Sequence, residues 1–305
     1  MKKLISKAPV AIFFYNRKEK ICNSIKSLIK LENINSFRFY LFSDGPKNSN
    51  ENDLINEIRS EVKKLTFNLN VEIIEREKNL GLSKSIIEGV NHVFKFYDKI
   101  IVLEDDLVIH SQFFDFLQES LDKYEDKKMV YQISGHSYFE NTVVSESPFF
   151  LPLTNSWGWG TWKNRWEKFL EEKKTYNKNI LLMLDKYNFN LNGSYNFFKI
   201  LKKSFDNKVD SWAILWYYYI FTNNGIVLYP PRSFVKNEGF DGSGTHTILN
   251  SKGDLDDNNL NFLYPKETKV DNKIFEQYQI SISNFHKVNI LKKGYLKLKN
   301  MLWKK

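Results

Sequence analysis

Lys99-Ile100-Ile101-Val102-Leu103-Glu104-Asp105-Asp106 is the stretch on which the fold turns. A short apolar run rich in β-branched residues is the signature of a buried strand, and this one runs directly into three acids. Working back from it, Asn79-Leu80-Gly81 precedes a helix over 82–97, and Val71 to Glu75 is another strand. Glu51 to Leu65 sets Leu54, Ile55, Ile58, Val62 and Leu65 on a helical face, after a strand Arg38 to Ser43 closed by Ser43-Asp44-Gly45-Pro46. Glu19 to Lys30 does the same with Ile21, Ile25, Leu28 and Ile29, after a first strand Pro9 to Tyr15. The order βαβαβαβ predicts an α/β fold with a doubly wound, mostly parallel sheet, whose ligand crevice lies beyond the carboxyl ends of the strands. Asn16-Arg17, Asp44, Gly81 and Glu104-Asp105-Asp106 each follow a strand, so four loops converge on that edge.

The second half is less regular. A strand is expected at Met129 to Ser134 and near Gly225 to Tyr229, with the aromatic stretch Asn155-Ser156-Trp157-Gly158-Trp159-Gly160-Thr161-Trp162 and several helices between them. The expected division is one main unit over 1–250, in two halves at about 8–110 and about 111–250. A C-terminal extension over 251–305 follows, beginning in an Asn/Asp-rich loop.

Composition narrows the class. Of 305 residues 42% are hydrophobic, enough for a sizeable core, yet no window holds the roughly 18 uninterrupted apolar residues of a membrane span. The basic N-terminus is followed by only a short apolar run and no cleavage site, and the single Cys22 excludes a disulfide within the chain, so a cytoplasmic setting is expected. The net charge of +9 is spread among many acids, which gives no support to nucleic acid binding. Residues 291–305 are different: six lysines accompany Leu, Tyr, Met and Trp without an acid, a composition that suits an anionic membrane surface as well as a solvated tail.

Three adjacent carboxylates repel one another, and a like-charge pair about 4 Å apart costs about 4 kcal/mol at an effective dielectric near 20. A bound dication reverses that sign, and oxygen-only ligands suit Mg²⁺ or Mn²⁺. The alternative is that the acids simply precede a helix over 112–124 and favour its dipole.

Val102-Leu103-Glu104-Asp105-Asp106-Leu107, with Phe113-Phe114 after it, resembles the metal-binding segment of the N-acetylglucosaminyltransferase I-like GT-A enzymes and of bacterial family 2 polysaccharide glycosyltransferases. Pro9 to Arg17 resembles the first strand and nucleotide loop of that family, Ser43-Asp44 its base- and ribose-contacting acid, and Trp157-Gly158-Trp159-Gly160 an aromatic loop near the sugar. Asp210-Ser211-Trp212 resembles the segment that carries the catalytic base, and Asn237 to His246 the late loop that closes over the diphosphate. The match runs in order from about residue 8 to about residue 247.

The resemblance implies a GT-A fold and an inverting, metal-dependent transfer from a nucleoside diphosphate sugar, UDP-N-acetylglucosamine by the nearest likeness, to a glycan or lipid-linked glycan acceptor in surface polysaccharide synthesis. Asp106 would be the main ligand of Mn²⁺ or Mg²⁺, joined by His246, with Glu104 and Asp105 on the donor sugar and ribose. Asp210 would be the general base, although Ser211 stands where the animal enzyme has a second acid; a helix cap is the other reading of Asp210. Asn16, Arg17, Asp44, Gly81, Lys84, Trp157 and Trp159 complete the expected nucleotide-sugar site. Asp44 and Asn16-Arg17 also suit plain turn and loop positions, and His246 an exposed one. Trp162 and Trp166 sit at helical spacing and belong to the core. The expected location is cytoplasmic, peripheral on the inner face of a membrane. Two other classes share these features: a sugar-nucleotide pyrophosphorylase, against which stands the lack of a glycine-rich loop with a basic residue after the first strand, and a non-catalytic glycan-binding protein.

Overall fold

A computed structural model of the chain describes residues 7–137, 145–239 and 260–284. The first half alternates as expected: β1 (Val10–Phe14), α1 (Lys18–Leu28), β2 (Phe39–Ser43), α2 (Asn52–Leu65), β3 (Val71–Glu75), α3 (Leu82–Val93) and β4 (Lys99–Glu104). Then come a short strand β5 (Leu107–Ile109), α4 (Phe113–Lys123), β6 (Val130–Ser134), β7 (Phe149–Leu151) and β8 (Trp159–Trp162). Helices α5 (Lys163–Lys173), α6 (Ile180–Met183), α7 (Lys186–Phe189), α8 (Phe197–Phe205) and α9 (Trp212–Thr222) precede β9 (Ile226–Tyr229) and β10 (Val235–Asn237).

Eight strands form one sheet in the order β3-β2-β1-β4-β8-β6-β9-β7, and β5 pairs with β10 in a separate ribbon. The pairs β1–β2, β2–β3, β1–β4 and β6–β9 are parallel, while β8 enters antiparallel between β4 and β6, and β7 closes the edge antiparallel to β9. The chain therefore has the α/β, doubly wound, mostly parallel sheet that its sequence predicts.

Alternation along β1 and β4 feeds two cores. Val10, Ile12, Phe14, Ile101 and Leu103 face α1, α2 and α4 through Ile21, Ile25, Ile58, Val62 and Leu117. Ala11, Phe13, Ile100 and Val102 face the other way, against Val90 of α3 and the tryptophans of α5 and α9. Residues 260–284 pack back onto both faces, Phe262 and Tyr264 on the first and Tyr278 on the second.

Two expectations are corrected here. The acids do not lead into α4, because β5 intervenes and Gln112 at the start of α4 makes no side-chain cap. The aromatic stretch ends as a strand: β8 pairs Lys99 with Trp162 and Val102 with Trp159. That pairing turns Trp159 into the second core, fully buried, with its ring stacked on Trp212 at 4.9 Å between centroids and close to Trp166 at 5.9 Å.

Helix α3 reaches β1 closely because Gly89 lacks a side chain; a methyl built there collides with the Phe13 ring, itself stacked on Phe42 at 4.9 Å. Gly89→Ala gains about 1 kcal/mol of helix propensity and incurs about 1–3 kcal/mol of overpacking. The expected net result is a lower urea midpoint with an unchanged slope, measured by equilibrium denaturation.

Candidate active site

The parallel register of β1 on β4 sets Phe13 opposite Glu104, so the loops after both strands leave the sheet side by side. Arg17, half-buried at the start of α1, turns its guanidinium onto the acids. Its Nη1 donates to Oδ2 of Asp106 at 2.8 Å, its Nε to Oδ2 of Asp105 at 3.3 Å, and its Nη2 forms an ion pair with Oδ1 of Asp105. Burial opposes the charge on Arg17, but the two aspartates hold its pKa above the ordinary arginine range. Burial and the negative charge of Asp106 and Asp105 push the Glu104 carboxyl above its ordinary range, with Arg17 opposing. Burial likewise raises Asp105, against the pull of Arg17. One guanidinium thus faces three carboxyl groups.

Asp106 is also the meeting point with the end of β10. Its carbonyl accepts from Glu238 N at 2.8 Å, and a methyl on Gly239 would collide with its Oδ2, so the backbone at 237–239 lies directly over it. Buried Oδ1 of Asp106 has no hydrogen-bond partner among the described residues. That orphaned oxygen fits a hard cation that takes few protein ligands and completes its shell with water and phosphate oxygens. No group of three or more His, Cys, Asp or Glu side chains is gathered for a metal among the described residues. His246 lies outside the described residues.

A second group forms after β2 and β3. Asp44 is buried, and its carboxylate accepts N–H bonds from Gly45 at 3.0 Å, Leu80 at 2.9 Å and Gly81 at 3.2 Å, tying the two loops together. Gly81 adopts φ +76°, a left-handed conformation that favours glycine, and so turns the chain into α3. Over that turn sits Asp210, whose Oδ2 accepts from Ser83 N at 3.2 Å. Ser211, and not Asp210, caps α9 through a 3.4 Å bond from Ile214 N, so the cap read for Asp210 belongs instead to the first turn of α3. Asp210 remains exposed and borders a cavity of about 350 Å³ lined also by Ser83, Ile87, Lys173, Trp212 and Leu215.

The structure therefore brings together Arg17, Asp105 and Asp106, with Glu104 beside them, and separately Asp44, Gly81 and Asp210. Three expected residues stand apart. Trp159 has no free face for a sugar, being enclosed by Trp212, Trp166 and Trp216. Lys84 lies along the exposed face of α3, 3.7 Å from Glu88. Asn16 is exposed just before α1. Trp157 keeps a partly open surface and packs on His136, 4.4 Å between ring centroids. Sequence reading passed over His136, a lone histidine after a glycine at the end of β6, and Tyr15, whose hydroxyl donates to Glu51 beside Lys47. Only their position after sheet strands marked them out.

Residues 10–197 match the family described as glycosyl transferase family 2. No curated protein sequence matches the chain. Among solved structures, the galactosyltransferase LgtC in complex with donor and acceptor sugar analogs is similar at 11% identity and TM-score 0.38, over 72% of each chain. The glycosyltransferase GlyE of Streptococcus pneumoniae TIGR4 is similar at 13% identity and TM-score 0.33, over 92% of this chain and 64% of that one.

Burial drives the His136 imidazole down to about 3 from an ordinary 6.5. A depressed folded-state pKa means stability that is present above 6.5 and lost as pH falls from there toward 3, because the unfolded chain takes the proton first. His136→Gln should flatten that part of the profile: between pH 7 and pH 4.5 the wild type should lose about 2 kcal/mol more than the variant in urea titrations.

Proposed function

The chain belongs to glycosyl transferase family 2, and on that premise we propose that it is an inverting enzyme moving a sugar, N-acetylglucosamine by preference, from its UDP conjugate to a glycan or lipid-linked glycan in surface polysaccharide synthesis. The observation that carries this reading is Asp106: a buried carboxylate at the carboxyl end of a central strand, one oxygen on Arg17 and the other without a partner among the described residues. A diphosphate is itself anionic, so it approaches three carboxyl groups only if positive charge stands between them. Asp106 would hold Mn²⁺ or Mg²⁺, with His246 as a further ligand, and that ion would neutralise the charge growing on the departing diphosphate.

The remaining roles fall to side chains at the same edge. Arg17 keeps Asp105 and Asp106 in one orientation and, with Asn16, borders the loop assigned to the nucleotide. Glu104 and Asp105 are assigned to the donor sugar and ribose, and Asp44 holds the Leu80-Gly81 turn. Asp210 takes the proton from the acceptor hydroxyl; the oxygen then bonds to the anomeric carbon as the bond to the diphosphate breaks on the opposite face, and the configuration inverts. The cavity beside Asp210 offers Ser83 and Lys173 over an apolar floor of Ile87, Trp212 and Leu215, a lining suited to a sugar ring. Trp157 supplies the flat face assigned to stacking. The setting proposed is the inner face of a membrane, with residues 291–305, which lie outside the described residues, as a basic anchor. No helix among the described residues is long and apolar enough to cross the bilayer.

Two variants test this. With Mn²⁺ present, one nucleotide sugar from a panel should raise the melting temperature of the wild type, by the equivalent of about 2.7 kcal/mol at a hundredfold excess over Kd, and Asp106→Ala should lose most of that shift. Asp210→Asn should keep the shift and lose about 10²- to 10⁴-fold in transfer rate. No stabilisation by any nucleotide sugar with metal present, or full transfer by Asp210→Asn, would overturn the assignment.

A further inference from the structure

Between residues 173 and 208 the chain carries eight lysines against two aspartates, a net +6 in a protein whose total is +9. The two acids are already committed. Asp206 pairs with Lys178 at 2.8 Å and lies 3.8 Å from Lys208, and Asp185 caps α7 by accepting from the N–H groups of Tyr187 and Asn188, each at 3.1 Å. Lys173, Lys174, Lys186, Lys199, Lys202 and Lys203 form no ion pair with any described residue. In the middle of this segment the apolar side chains turn outward: Leu182 is 84% exposed, Met183 92% and Tyr187 65%.

A helical turn that holds Leu and Met in water, between Lys178 and Lys186, gains nothing in an isolated protein, since each such side chain costs free energy while it stays hydrated. The flanking lysines are engaged, Lys178 with Asp206 and Lys186 over the Phe198 ring at 4.8 Å, but aliphatic tips in a segment whose other lysines form no ion pair suit a bilayer interface, where acyl chains receive the tips and lipid phosphates receive the ammonium groups. We propose that the α6–α7 surface seats the protein on an anionic lipid bilayer, with Leu182, Met183 and Tyr187 entering the headgroup region. Single-stranded nucleic acid is the poorer fit, because the two most exposed side chains of the patch, Leu182 and Met183, offer no ring on which bases stack and Tyr187 offers only one. Its residues belong to a different stretch of the chain from the basic tail at 291–305. Lys173, together with Ser204 and Asn207 of α8 and the turn after it, also lines the cavity at Asp210, so a seated enzyme presents that cavity to acceptors carried on lipid. That corollary alone rests on the glycosyl-transfer reading.

The test is co-sedimentation of the full chain with vesicles of phosphatidylcholine alone or mixed with phosphatidylglycerol. The wild type should partition onto the mixed vesicles in a salt-sensitive manner and hardly onto the neutral ones. The double variant L182S/M183S should weaken partitioning roughly tenfold. The double variant K174Q/K186Q should weaken it about 25-fold, as each lysine near an anionic leaflet contributes about fivefold. All four positions are exposed, so unchanged melting temperatures should accompany the loss. The proposal would be overturned by no binding by the wild type, by wild-type binding by L182S/M183S, or by a switch of that variant from dimer to monomer in light scattering, which would assign the patch to a second copy of the chain. Tighter binding to single-stranded RNA than to mixed vesicles would do the same.

Discussion

Three carboxyl groups gathered at the end of one buried strand are the constraint around which the carboxyl edge of the sheet is arranged. A like-charge pair about 4 Å apart costs about 4 kcal/mol at an intermediate dielectric, and Asp105 and Asp106 sit in the turn that directly follows Glu104 at the end of β4. Arg17 supplies the nearest relief, and it can do so only because β1 and β4 are parallel neighbours in a register that sets Phe13 beside Glu104. Four residues further on, Arg17 reaches both Asp105 and Asp106. One cation stands against three acids, and the Glu104 carboxyl is raised first by its burial and then by the charge of Asp106 and Asp105. An enzyme that handles anionic donors has a use for this imbalance, since whatever positive charge completes it also draws in a diphosphate.

How much of this was legible in the sequence depended on how each element is stabilised. Strands β1, β2 and β4 are buried in the sheet between helices, so their apolar runs are conspicuous, and the limits of all four of the first strands, the half-buried edge strand β3 included, are found within a residue or so. Strand β8 escaped because Gly158 and Gly160 break its pattern and because glycine beside tryptophan also suits a sugar-facing loop. What makes it a strand is antiparallel pairing with β4, a non-local bond that no local pattern reports. The cost of missing it fell on Trp159: once in the sheet, alternation sends its ring into the core beside Trp212. Strands β5, β7 and β10, at three residues each, carry too little sequence to declare themselves.

At the site, the residue types were legible and their partnerships were not. The acids after β4 and Arg17 after β1 were singled out for separate jobs, and their ion pairing follows only from strand order. Asp44 had two readings, ribose contact and turn residue; the three N–H bonds to its carboxylate make it at least the pin that holds the loops after β2 and β3 together. The rival classes divide on different grounds. Membership of a glycosyl transferase family removes the basis for a pyrophosphorylase, and a protein that merely bound glycans would have no need of an orphaned carboxylate oxygen buried beside an arginine.

The acids of this edge also differ in what they remain able to do, and the difference is one of accessibility. Asp105 and Asp106 are buried against Arg17, and Asp44 is buried against backbone donors, so none of these three is open to a hydroxyl arriving from solvent. Asp210 accepts a single bond, from Ser83 N, and is exposed at the mouth of a cavity large enough for a sugar ring. That bond fixes the carboxylate without enclosing it, because it comes from the first turn of α3, which Gly81 and Asp44 in turn hold to the sheet. A group meant to receive a proton must be positioned as firmly as a structural one yet stay reachable, and of the four aspartates Asp210 alone meets both conditions.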